Sequence, residues 1–399
     1  MPRFSRRATG SSFCAEETSN SAPQRSETRS ISGLNRGTLV HNVCVKHRPL
    51  AQRIAFATIA AVAGAAVCAP AQSVEVVAFG WNSFGQVDVP ASLGAVRAIS
   101  AGYAHSAAVK LDGSVACWGY NAAGQSIAPA GLYEVTSVAA GGFHSVALRS
   151  NGTLVCWGSN GQGQCAPPKN IGTVQAIATG GYHTMALKNG ATVACFGHNS
   201  QGQCTVPTTL GQVTAVAAGW HHSVSLNAVG IVKAWGSNTY GQCSVPVNLS
   251  GVVSVASGSW HGAAIRSSGT VDCWGLNDFG QCNVPPNLLG VTAVAAGAYH
   301  TVALRLDGSV HCWGSNAHDQ CYPPSDLGAV TAVAAGNEHT LVIAQAPPCD
   351  ADFDNDGAVN GADLAVLLSQ WGSAGTECVD LSGNGAVGGE DLAILLSQW

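Results

Sequence analysis

Residues 135–158 read Val135-Thr-Ser-Val-Ala-Ala-Gly-Gly-Phe-His144-Ser-Val-Ala-Leu-Arg149-Ser-Asn151-Gly152-Thr-Leu-Val-Cys156-Trp157-Gly158. Thr136–Ala140 is small and apolar, His144–Arg149 alternates, and Thr153–Trp157 is apolar and aromatic. Gly141-Gly142 breaks the first pair of segments, and Asn151-Gly152 is a hairpin signal between the second pair. No segment combines helical period with helical length. The stretch therefore predicts three short antiparallel strands.

The same reading recurs along the chain. The phrase Ala-Gly-x-x-His, with Thr179 and Ser257 in place of Ala, places histidines at His105, His144, His183, His222, His261, His300 and His339, each 39 residues from the last. A second phrase, Trp-Gly-x-Asn-x-x-Gly-Gln, starts at Trp118, Trp157, Trp235, Trp274 and Trp313, with Phe79 and Phe196 in place of Trp. The last copy alters the ending to Ala317-His318-Asp319-Gln320. A fixed period of this length means a solenoid, a propeller or an array. Val74–Gly80 copies a third strand alone, whereas the last unit has Val330–Ala335 and His339–Ala344 without a third strand. That complementarity predicts closure of the last sheet by the N-terminal strand, which an open solenoid with polar caps does not need. The expected fold is mainly β: a seven-bladed β-propeller of three-stranded blades over residues 74–346, plus a small α-helical calcium-loop module at 349–399.

The segment Val138–Leu148 resembles the signature of the regulator of chromosome condensation repeat family, and the resemblance covers about Val74–Ala346. It implies a seven-bladed propeller. The short repeat is more similar to short-repeat bacterial relatives, including secreted proteinaceous β-lactamase inhibitors. The family's nuclear role, nucleotide exchange on a small GTPase, does not fit the leader and the missing basic surface.

A residue placed identically in every blade serves the blade first. The seven histidines are expected to bond backbone groups of neighbouring strands rather than to ring a metal. The tryptophans are expected to pack between sheets, with a sugar platform as the rival role. Recognition is better sought at variable positions. Tyr103, Phe143, Tyr182, Trp220, Trp260, Tyr299 and Asn337-Glu338 precede the histidines, at one rim of the expected propeller. His198, His221, His311 and His318 read as surface residues.

Nine of the 17 Lys and Arg lie in residues 1–73, and residues 74–348 carry eight cations against ten acids. No basic stripe is present, so no nucleic-acid partner is expected. Residues 1–73 read as a leader. Lys46, Arg48 and Arg53 precede the apolar run Ile54–Val67, and Ala69-Pro-Ala71 supplies a cleavage site, so a signal peptide is expected at about 45–71. The run is too short to span a membrane. A later start, read here as Val40 or Val45, is the simpler account of residues 1–44; an extended n-region with its own role is the other. Lipidation at Cys68 is disfavoured by Val67. A secreted or surface location follows, consistent with paired cysteines: Cys156/Cys165, Cys195/Cys204, Cys273/Cys282 and Cys312/Cys321 share one offset, which favours disulfides within a unit. Cys117 and Cys243 lack such partners.

After Pro348 a second duplication begins. Asp352, Asp354, Asp356, Ala358 (through its carbonyl), Asn360 and Asp363 occupy positions 1, 3, 5, 7, 9 and 12 of an oxygen-rich loop, with Gly357 at the turn. The copy offers Asp380, Ser382, Asn384, Ala386 and Asp391, with fewer carboxylates and so weaker binding. Calcium is the expected ion. Leu364–Trp371 and Leu392–Trp399 have helical period and can pack together, and Cys349 and Cys378 can pair. Aspartate at position 12 followed by Leu-Ala-Val-Leu-Leu resembles a dockerin module. The resemblance implies calcium-dependent folding and docking to a cohesin-type receptor through Gly361, Ala362, Gly389 and Glu390; a calcium-stapled cap without a receptor is the other reading.

No nucleophile elbow, zincin motif or phosphate loop is present. The sequence is read as a non-catalytic, exported interaction protein whose rim binds a protein or glycan and whose tail tethers it. A component of polysaccharide degradation and a secreted enzyme inhibitor are the alternatives.

Overall fold

The computed structural model describes residues 74–325, 327–345, 351, 353, 359–373, 379–382 and 384–398. The expected leader and signal peptide, Cys349, Cys378, Asp352, Asp354, Asp356 and Ala358 lie outside those residues.

Each unit folds as three antiparallel strands, for example Val135–Ala140, His144–Arg149 and Leu154–Gly158. Among the described residues there are seven such sheets. In the last, Val74–Gly80 lies outside His339–Gln345, which in turn pairs with Val330–Ala335. The chain's first described strand therefore completes the sheet begun by its last two. Every first strand carries a register shift after its first residue, as between Val135 and Ser137. Such a bulge bends and further twists the strand. The Asn151-Gly152 hairpin is a turn closed by Gly152 N–H to Arg149 C=O, 2.9 Å, with Gly152 at φ 80°.

Adjacent sheets share apolar clusters. Trp157 and Val138 pack with Ala107 and Val109 of the preceding unit. Val76, Leu341 and Ile343 of the last sheet pack with Val96 and Trp118 of the first, while Phe79, Val330 and Val342 pack with Leu304 of the sixth. The tryptophans thus fill the space between sheets. Each of the five third-strand indoles also donates its N–H to the carbonyl of the glutamine 32 residues earlier, as Trp118 does to Gln86 at 2.9 Å.

Neighbouring sheets are joined by two further series of bonds. One is main chain to main chain: Tyr103 N–H to Gly141 C=O at 3.2 Å, Gly142 to Gly180 at 3.1 Å, and so on to Asn337 N–H, which donates to Gly102 C=O at 3.1 Å. The other starts from the histidines, all fully buried. His144 Nε2 lies 2.9 Å from Thr184 Oγ1, and that hydroxyl donates to the Gln164 carbonyl at 2.8 Å. Since the hydroxyl proton is committed to the carbonyl, the imidazole donates from Nε2. The partner is therefore a side-chain hydroxyl, not the backbone group expected from the sequence. Six of the seven histidines follow this pattern, ending with His339 on Ser106. His222 differs: Gly262 stands at the hydroxyl position, and Ser257 takes its place at 2.9 Å.

The glycine of Ala-Gly-x-x-His is required by this packing. A Cβ on Gly141 would lie 2.6 Å from His144 Cε1 and 2.8 Å from the Gly180 carbonyl oxygen.

In the C-terminal segment, α1 spans Gly361–Ser369 and α2 spans Gly389–Gln398. Both begin three residues before the apolar pattern does. For α1 the reason is a capping box: Asn360 accepts from Ala362 N–H, and Asp363 reaches back to the Asn360 N–H. Leu367 and Leu395 meet in one buried cluster with Val379, Leu381 and Val387. No helix among the described residues is long and apolar enough to cross a membrane.

Candidate functional site

All second strands start at a histidine and are six or seven residues long, so the histidine ends lie at one face of the array. The aromatic residues that precede the histidines gather there, as expected. Tyr103 and Phe143 rings lie 5.7 Å apart, Phe143 and Tyr182 5.5 Å, and Tyr182 and Trp220 5.6 Å. Trp220, from the fourth unit, also reaches Tyr103 of the first at 5.4 Å. One cavity is lined by residues of all seven sheets, and Tyr103, Trp220 and Asn337 line its mouth. These three stand two residues before their histidines. Phe143, Tyr182, Trp260 and Tyr299 stand one residue before, outside the lining.

Other loops add rings that the sequence reading missed. Trp81 and Tyr120 follow the Trp-Gly pair (Phe-Gly in the first copy), and Phe84, Tyr240 and Phe279 stand three residues further on. Phe84 meets Tyr120 at 4.7 Å and Trp81 at 5.3 Å; Tyr240 meets Trp260 at 5.4 Å, and Phe279 meets Tyr299 at 5.0 Å. Phe84, Tyr240 and Phe279 are 44 %, 48 % and 54 % exposed, so this surface is open to a partner. The signal was available: these are the only aromatic residues at the variable places of an otherwise fixed phrase. His198 and His221 belong here rather than to the open surface. They are half-buried, with rings 5.6 Å apart, and His221 stacks on Tyr182 at 6.3 Å. Burial, with His198 beside it, lowers the His221 pKa. His311 and His318 are exposed as expected, and His318 lies 3.2 Å from Glu338.

The fixed residues of the second phrase are structural. Gln125 is buried, and its side-chain oxygen accepts from Ala123 N–H at 2.9 Å; Asn121 accepts from Ser126 N–H at 3.1 Å. Burial pushes His105, His183, His222, His300 and His339 down to about 3, and His144 and His261 to about 4. They are neutral at pH 7 and held apart, each on its own hydroxyl.

One of the four cysteine pairs is joined, Cys195–Cys204. Cys156, Cys165, Cys273, Cys282, Cys312 and Cys321 carry free thiols, which departs from the expected set of within-unit disulfides. The pairing partners are nevertheless neighbours: Cys165 and Cys282 push up the pKa of Cys156 and Cys273, after burial, and Cys321 bonds Cys312.

In the C-terminal loops, Asp380 accepts from Gly385 N–H at 2.6 Å and Asn384 N–H at 3.1 Å, and Ser382 Oγ lies 3.1 Å away. Asp391 accepts from Ser382 and Gly388 N–H groups; burial raises its pKa, but these bonds leave it net lowered. Asn384 bonds Glu390 at 3.0 Å, and Ala386 N–H bonds Asn384. Asp363 accepts from Phe353 N–H at 2.6 Å. The donor set is hard oxygen, which suits a cation such as calcium. No group of three or more His, Cys, Asp or Glu placed to hold a metal occurs among the described residues.

Compared with protein families, residues 96–125, 135–164, 174–203, 213–242, 252–281 and 291–320 each match the regulator of chromosome condensation (RCC1) repeat. The chain carries six RCC1 repeats. The matched stretches run from the first strand through the buried glutamine. The same arrangement split between Val330–Gln345 and Val74–Gln86 is not contiguous, so no seventh match arises. No curated protein matches the chain. Among solved structures, Prp20p of Saccharomyces cerevisiae is 17 % identical, covering 75 % of this chain and 95 % of its own, with a TM-score of 0.60. Human WBSCR16 is 20 % identical, covering 69 % and 99 %, with 0.58. The ectodomain of the Physcomitrella patens receptor kinase CR4 is 24 % identical, covering 61 % and 69 %, with 0.52. The likeness gives the chain a mainly β fold of the RCC1 propeller kind.

Proposed function

We propose that this RCC1-repeat protein is an exported, non-catalytic interaction protein whose seven sheets close into one seven-bladed propeller and whose aromatic face binds a partner. The observation that carries the reading is the continuous aromatic surface at the histidine face, built from variable positions while the fixed residues are consumed by the fold. Aromatic rings exposed together at one rim are what recognition surfaces use. Closure is supported by the sharing of the last sheet between both chain ends and by the bonds from Asn337 to Gly102 and from His339 to Ser106. Prp20p is described with binding properties to Gsp1p and histones, which favours a protein partner over a small molecule. The C-terminal segment is read as a calcium-dependent, dockerin-like tether, with Asn360, Asp363, Asp380, Ser382, Asn384 and Asp391 among the ligands and the exposed Gly361, Ala362, Gly389 and Glu390 facing a cohesin-type receptor.

The face is tested by displaying candidate proteins and glycans to the full chain and to its Trp260→Ala variant. Signals weakened by the variant support the reading; signals identical for both chains overturn it. Calorimetric calcium titration of the full chain tests the tail: micromolar-range binding is expected, and none at millimolar calcium removes the tether.

A further inference from the structure

The two faces of the sheet array differ in charge. Lys110, Arg149, Lys188, Arg266 and Arg305 end second strands, at the side away from the histidines. Arg97 bonds the Lys110 carbonyl at 3.1 Å, and Lys233 bonds the Thr209 carbonyl at 2.6 Å. Lys169 stands in the loop position that Thr208 holds one unit later. All eight cations of residues 74–345 thus lie at that far side. The aromatic face has carboxylates and no Lys or Arg: Glu338 precedes a histidine, Asp278 adjoins Phe279, and Asp319 adjoins His318.

A second, independent observation comes from the buried glutamines. In four units the glutamine amide donates to the residue after the Trp-Gly or Phe-Gly pair: Gln164 to Ser159, Gln203 to His198, Gln242 to Ser237 and Gln320 to Ser315. Where that residue is Trp81, Tyr120 or Leu276, the amides of Gln86, Gln125 and Gln281 are buried without a partner. A buried donor left unpaired is destabilising, because its desolvation is not offset by a bond. Two of these three positions place an aromatic ring on the acidic face, against the interest of the fold.

The Trp81 and Tyr103 rings stand 6.3 Å apart at 82°, the Trp81 main-chain N–H bonds the Glu338 main-chain carbonyl, and the Glu338 carboxylate lies 3.2 Å from His318, whose ring is 6.3 Å from Trp81, so two perpendicular rings and a carboxylate share one corner. Ring faces attract ammonium and guanidinium groups, and a nearby carboxylate adds to that attraction.

We infer that the aromatic face takes a Lys- or Arg-bearing polypeptide segment, with one cationic side chain received at Trp81, Tyr103 and Glu338. This rests on the reading of that face as a partner surface and names the partner's chemistry. The full chain is titrated with decalysine, with decaglutamate and with a neutral hexasaccharide, followed by calorimetry and tryptophan fluorescence. Decalysine is expected to bind, and to weaken about tenfold between 50 and 500 mM salt. Glu338→Gln and Trp81→Ala are each expected to weaken it fivefold or more, with unchanged circular dichroism, while Arg266→Gln at the far side leaves it unchanged. Decalysine binding that ignores both face variants reports only the chain's net negative charge and overturns the inference, as does no binding. Hexasaccharide binding that is lost in Trp81→Ala, with decalysine silent, overturns the cationic partner yet leaves the face a recognition surface.

Discussion

Acid should dismantle the sheet array through its histidines. Each imidazole is fully buried, donates from Nε2 to a hydroxyl, and has no partner at Nδ1, which packs near a glycine. Protonation would place a buried charge and an unpaired N–H at Nδ1. Burial accordingly holds the seven pKa values at about 3 or 4, against about 6.5 in an unfolded chain. Because the folded values are depressed, the unfolded state binds more protons between these limits, and stability falls as pH drops below 6.5. At pH 5.5 each histidine withdraws about 1.4 kcal/mol, so seven together withdraw on the order of 10 kcal/mol. That equals the whole stability of an ordinary domain, about 5–15 kcal/mol. Loss of strand signal in far-ultraviolet circular dichroism is expected with a midpoint between about pH 4.5 and 6, accompanied by uptake of several protons. Urea midpoints at pH 7, 6 and 5 should fall in step. A urea midpoint unchanged from pH 7 to 5, or structure retained to pH 3.5, would refute the reasoning.

Three smaller perturbations test other parts of the architecture. Gly141→Ala should cost about 1–3 kcal/mol, since its Cβ would collide with His144 and the Gly180 carbonyl; thermal unfolding at the wild-type temperature would show that the glycine serves no packing purpose. Ser159→Ala strands the Gln164 amide and should lower stability by about 1 kcal/mol, whereas Ser83→Ala, which touches no buried glutamine, serves as the neutral control in urea titrations. Mild oxidation followed by non-reducing peptide mapping should yield Cys156–Cys165, Cys273–Cys282 and Cys312–Cys321, each closing a short loop and adding about 2–3 kcal/mol. Links between different units would contradict the neighbour relations of these thiols.

The sheets were readable because the repeat restates its pattern seven times: alternation from His144 to Arg149, punctuation by Gly141 and Gly152, and a third strand displaced to Val74–Gly80. The helices were readable from Leu364 and Leu392 onward, but their first turns were not. Gly361 and Gly389 have poor helix propensity, and Asn360 with Asp363 caps the turn through bonds that only folding reveals. The aromatic face was half legible. Residues beside the histidines stood out within a fixed phrase, while Trp81, Phe84, Tyr120, Tyr240 and Phe279 come from a different loop, and adjacency between loops has no trace in linear spacing. The same limit hid the histidine partners. A hydroxyl 40 residues away, in the next unit, is invisible to reasoning within one unit.

The substitution of Gly262 for a hydroxyl residue gives the array a weakest link. Elsewhere a load between neighbouring units passes from imidazole through hydroxyl to a main-chain carbonyl 20 residues back. At the fourth-to-fifth junction that relay is cut short, because Ser257 accepts from His222 while the Gln242 carbonyl retains the Trp274 indole alone. Trp274 packs into the space a side chain at 262 would need. Loosened by denaturant, the array should open between these two units first. A cut in the Asn248–Gly251 connection would leave two fragments still clasped through the last sheet, where Val74–Gly80 of one pairs with His339–Gln345 of the other.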